Sequence, residues 1–192
     1  MGLACLVLGM LLFLATHLFA RSKVWRPALI ARLGKTPYRV LFSIVSIAVL
    51  ALIVYGFALY RAEEWTDVWY PPLAMRHVTL APMLPAVILL FAAFLPGHIS
   101  TWTRYPALLA VKIWAFAHLL ANGDLGGIVL FGGFLAWAVL ARIMLKRAPE
   151  AAREESGGLF NDGLAVVLGV VTYAALGFVF HPVVIGVPVF GV

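Results

Sequence analysis

Six long apolar runs constrain this chain more than any other feature. They span residues 3–20, 38–60, 78–95, 106–121, 125–144 and 164–180. A bilayer core takes about 20 apolar residues as helix. Lipid offers no partner for backbone N–H and C=O groups, so such runs must close their hydrogen bonds internally, as helices. Of the 192 residues, 64% are hydrophobic and 11% charged, where a soluble domain has roughly a quarter charged. That composition cannot cover a water-facing surface. The expected fold is an all-α, polytopic integral membrane bundle of about six transmembrane helices, forming one domain over 1–192, with the lipid bilayer as its main partner.

Charge placement tests the count. The first connection carries Arg21, Lys23, Arg26, Arg32, Lys35 and Arg39; the second mixes Arg61 and Arg76 with Glu63, Glu64 and Asp67; the third has Arg104. The fourth has no basic residue, the fifth has Arg142, Lys146, Arg147 and Arg153, and none follows the last run. Rich and poor connections alternate, as six spans require under the positive-inside rule. The first, third and fifth connections are expected on the cytoplasmic side and both termini outside. No basic residue precedes the first run, which sets it apart from a signal peptide. Trp65, Trp69 and Tyr70 on one side, and Trp25 and Trp102 on the other, suit aromatic belts. Pro82 and Pro85 predict a kink in the third span. Residues 148–158 read as a surface loop.

The net charge of +6 follows this loop pattern rather than forming a basic, aromatic-interleaved stripe, so no nucleic-acid partner is expected. Cys5 is the single cysteine, which excludes an internal disulfide and a thiolate zinc site. No H-E-x-x-H, G-x-S-x-G, Walker or G-x-G-x-x-G motif occurs in a suitable context. The glycines between Gly123 and Gly133 suit close helix packing. Lys112 lies about 9 Å beyond Pro106 by helical rise and can snorkel to the nearer interface.

Polar side chains inside a membrane are costly and therefore informative. Five histidines, His17, His77, His98, His118 and His181, stand among few other polar groups. A helix bundle with inward histidines is a usual host for b-type haem, because imidazole is a common axial ligand. His118 is the least easily dismissed. Val111, Trp114, His118 and Asn122 share a stripe at helical spacing, and Asn122 or Asp124 could orient the imidazole. A histidine bonded across a helix interface is the plainer alternative.

The run VKIWAFAHLLANGDL at 111–125, followed by LFGGFLAW at 130–137, resembles the core signature of the NnrU family. Thr16-His17, YRVLF at 38–42 and Phe180-His181-Pro182 fit the same family, so the resemblance covers most of the chain. One departure stands out: Tyr105 precedes Pro106 where the family often has histidine. The resemblance implies a bacterial inner-membrane protein linked to denitrification, that is, to nitrite and nitric oxide reduction. It also implies haem b, since the family is similar to 15-cis-ζ-carotene isomerase, a haem membrane enzyme. In that pattern His17 and His118 are the candidate axial ligands, with His181 and His77 as rivals. Three readings follow: a haem protein serving a redox or reductase partner, a haem-dependent isomerase of an apolar polyene, and a non-enzymatic assembly factor with structural histidines.

Overall fold

The computed structural model describes residues 1–146 and 157–190; most of the expected loop at 148–158 lies outside them. Every expected span is helical. They are α1 (Gly2–Phe19), α3 (Lys35–Glu63), α4 (Leu73–Ala92), α6 (Pro106–Ala121), α7 (Leu125–Lys146) and α8 (Gly158–Ala175). Short helices α2 (Trp25–Leu33) and α5 (His98–Thr103) fill the first and third connections. A π-helix, Leu176–Ile185, extends α8. Five of the apolar helices are long enough to cross a bilayer, and α6, at 16 residues, is shorter. Helix α4 is assigned as one helix through Pro82 and Pro85. Many of the largest apolar side chains point outward, among them Ile47 and Val54 on α3, both 68% exposed. Such a surface is stable against lipid tails and not against water.

The described chain forms two compact units. The first comprises Met1–Tyr70 and Gly123–Leu145, and so contains α1, α2, α3 and most of α7. Helices α1 and α3 run antiparallel at very short range. A Cβ on Gly56 would stand 2.5 Å from the Leu6 nitrogen, and one on Gly9 would stand 2.9 Å from Ile53. Helix α7 runs parallel to α1: Met10 meets Gly133, Phe13 meets Phe134 and Trp137, and His17 meets Trp137. Leu6, Met10, Phe13, Val49 and Ile53 form the core between them.

The start of α7 is fixed beside the end of α3. The Val68 and Trp69 N–H groups donate to the Gly123 carbonyl, and the Leu125 N–H donates to the Thr66 carbonyl. The Tyr60 ring, fully buried, lies where a Cβ on Gly126 would be.

The second unit is Pro71–Asn122 with the described part of Lys146–Val192. Helices α4 and α8 pair antiparallel, with Gly169 against Ile88 and the Tyr173 hydroxyl donating to the Leu80 carbonyl at 3.2 Å. Phe190 folds back over the π-helix against Phe178 and into the space that Gly177 leaves open.

Candidate functional site

The second unit brings two histidines together. His118 is in the last turns of α6 and His181 in the π-helix. Their ring centroids are 6.3 Å apart and their planes differ by 24°. Each ring is anchored by its own helix. His118 Nδ1 lies 2.8 Å from the Trp114 carbonyl oxygen, and His181 Nδ1 lies 2.8 Å from the Leu176 carbonyl oxygen. A carbonyl only accepts, so both Nδ1 atoms carry the proton and both lone pairs sit on Nε2. Metal-ligating imidazoles commonly have their other nitrogen fixed this way.

Local backbone geometry produces the pairing. The acceptor for His181 is five residues back, the step of a π-helix, whereas that for His118 is four back, the step of an α-helix. Widening the helix from Leu176 onward changes the direction in which later side chains leave the axis. Pro182 lies within this wide segment and, lacking an N–H, cannot donate to it. π-Helical turns are rare and frequent at functional sites.

The surrounding groups have definite partners. The Trp114 ring lies 5.3 Å from the His118 ring, so this residue supports the imidazole twice, through its carbonyl and its indole. Asn122 Nδ2 donates to the backbone carbonyl of His118 at 2.7 Å, closing α6. Asp124, 3% exposed, belongs to the first unit, where its carboxylate accepts the Gly127 N–H at 2.6 Å and caps α7. His77 is exposed near the start of α4.

His17 is in the first unit. Its Nδ1 lies 3.0 Å from the Phe13 carbonyl, and its ring stacks on Phe13 at 4.0 Å with Phe42 and Trp137 edge-on. Arg21 lies over the other part of this cluster, 5.9 Å from the Trp137 ring.

The fifth histidine has a partner that the sequence did not point out. Asp162, at the start of α8, accepts the His98 and Ile99 N–H groups at 3.0 Å and pairs with His98 Nδ1 at 2.9 Å. Asn161 Nδ2 donates to the Pro96 carbonyl at 2.8 Å. The apolar run expected for the last span began at Leu164, which left both residues outside it, whereas α8 starts six residues earlier, at Gly158.

Among the described residues, no three of His, Cys, Asp and Glu converge as a metal-holding group. The His118–His181 pair offers a donor set of two imidazoles. With metal–nitrogen bonds of about 2 Å, two imidazoles sharing one ion have ring centres about 6 Å apart, the order of the 6.3 Å spacing here. Haem, whose porphyrin supplies four nitrogens to its iron, is a group that two imidazoles would suffice to hold. No curated protein and no solved structure matches the chain. The family model described as NnrU protein matches residues 5–189, nearly the whole length, and the chain is a membrane protein belonging to the NnrU family.

Proposed function

We propose that this protein binds haem b within the membrane, that His118 and His181 would hold it, and that it handles electrons for a denitrification reductase. The observation that carries the reading is the pair of neighbouring imidazoles, with ring centres 6.3 Å apart, each with Nδ1 bonded to its own helix backbone. The donated protons hold both rings in the tautomer that presents Nε2. Trp114 packs on His118 and limits its rotation. Bound there, haem would supply a one-electron couple. His118 and His181 would hold the group, and the family's link to denitrification favours the redox reading over a polyene isomerase. The denitrification link and the bacterial inner-membrane location come from the family, and periplasmic termini from the charge pattern.

The absorption spectrum of detergent-purified protein from haem-replete cells tests the proposal. A Soret band with a b-type pyridine haemochrome is expected. His118→Ala and His181→Ala should each abolish it or convert it to a high-spin spectrum, while His17→Ala and His77→Ala leave it unchanged. A colourless wild-type protein would overturn haem binding. An unaltered spectrum in His118→Ala and His181→Ala would overturn the ligand assignment.

A further inference from the structure

The first unit holds a separate cavity of about 330 Å³, lined by residues of α1, α2 and α3 including Ala15, Phe19, Leu29, Leu41, Phe42 and Val45. That is roughly eleven times the share of one molecule in liquid water. Its wall is almost wholly carbon. Thr16 and Tyr38 also line it, but the Thr16 hydroxyl is turned back onto the Leu12 and Phe13 carbonyls at 2.8 and 3.1 Å. The wall therefore suits a hydrocarbon chain better than a polar head.

Cationic residues lie one helical turn along the chain from residues that line this cavity. On α2, Arg26 and Arg32 lie three residues either side of Leu29, on neighbouring positions of one helix face. On α3, Lys35 precedes Tyr38 and Arg39 precedes Phe42 by the same step. All four are exposed. No acidic residue occurs before Glu63, so nothing in this stretch of chain neutralises them. Helix α2 itself has no buried residue, and Trp25 and Leu33 are exposed on it. A short helix of that kind, with apolar and basic residues together, belongs at a membrane surface.

We propose that this cavity is a binding site for an anionic phospholipid, with an acyl chain between α1, α2 and α3 and the phosphate among Arg26, Arg32, Lys35 and Arg39. Basic groups at this level of a membrane protein attract anionic head groups, and the carbon-lined cavity supplies the shape that makes one lipid stay.

Native mass spectrometry of the full-length protein, delipidated and then mixed with phosphatidylglycerol or phosphatidylcholine micelles, tests the site. One phosphatidylglycerol per chain should survive, favoured over phosphatidylcholine by about tenfold. The combined variant Arg26→Gln, Arg32→Gln, Lys35→Gln, Arg39→Gln should bring that ratio close to one. Ala15→Trp, which fills the cavity from an exposed position on α1, should remove the retained lipid with every charge in place. A helical circular dichroism spectrum like that of the parent checks that each variant is folded. Equal retention of the two lipids by the parent, or unchanged retention by the folded Ala15→Trp variant, would overturn the proposal.

Discussion

A carboxylate at a helix N-terminus satisfies amide protons that otherwise have no acceptor, and a membrane interface makes that service more valuable. Glu64 does this for α1, accepting the Gly2 and Leu3 N–H groups at 2.6 and 3.1 Å and pairing with the terminal ammonium. Asp124 does it for α7, and Asp162 does it for α5 from a different helix. Asp162 carries the most, with two backbone N–H groups and the His98 ring. Asp162→Ala should therefore cost about 2 kcal/mol, or about 4–8 °C in melting temperature for a chain of this size. Asp162→Asn, which keeps one acceptor oxygen, should lose about half as much. Tryptophan-fluorescence melting in detergent measures both, and equal melting of the Ala variant and the parent would remove Asp162 from this role.

Helices in lipid gain little from burying apolar surface against one another, so close backbone approach and side-chain fit must supply the attraction. The α1–α3 seam shows this. Gly9 and Gly56 each leave a gap that the opposite backbone or side chain fills. Gly56→Val should push the two helices apart and cost about 2 kcal/mol. Gly132, with nothing within 4 Å of its missing Cβ, makes the comparison: Gly132→Ala should leave the melting temperature unchanged or slightly raised. A pair of variants that melt alike would show that glycine content, and not contact, sets stability. The π-helix acts at the same scale in the second unit. It continues α8 without a break in the chain's helical path, yet it changes the direction of His181. Inserting one alanine after Leu176 should rotate His181 off His118 and bleach the haem spectrum while the protein stays helical.

The charge pattern implies six crossings, with successive connections on opposite sides of the membrane. The Thr66–Leu125 and Val68–Gly123 hydrogen bonds place the second and fourth connections on one side of the membrane. The basic first connection must then be on the other. In a Cys5→Ser background, Val68→Cys should react with an impermeant thiol reagent in intact spheroplasts. Thr36→Cys and Trp102→Cys, both at exposed positions, should react only after permeabilisation. Labelling of all three from outside would contradict six crossings.

The sequence by itself determined the solvent, the six apolar helical runs and the family. Those depend on the length and hydropathy of each run and on the spacing of its charges, which survive any packing arrangement. It also placed His118, Trp114 and Asn122 on one helix face, because 3.6-residue periodicity is local. The partner of His118 was not legible. The family resemblance paired it with His17 and left His181 and His77 as rivals, whereas the tertiary structure sets the His181 ring beside it, through a π-helix that no local pattern announced. The role of Asp124 changed for the same reason. Its position three residues before Gly127 suits a helix cap as well as it suits a histidine partner, and only the folded backbone shows the Gly127 N–H filling its carboxylate. Side-chain direction after a change of helix type, and competition between nearby donors for one acceptor, depend on three-dimensional placement, and the order of residues does not encode them in any short stretch.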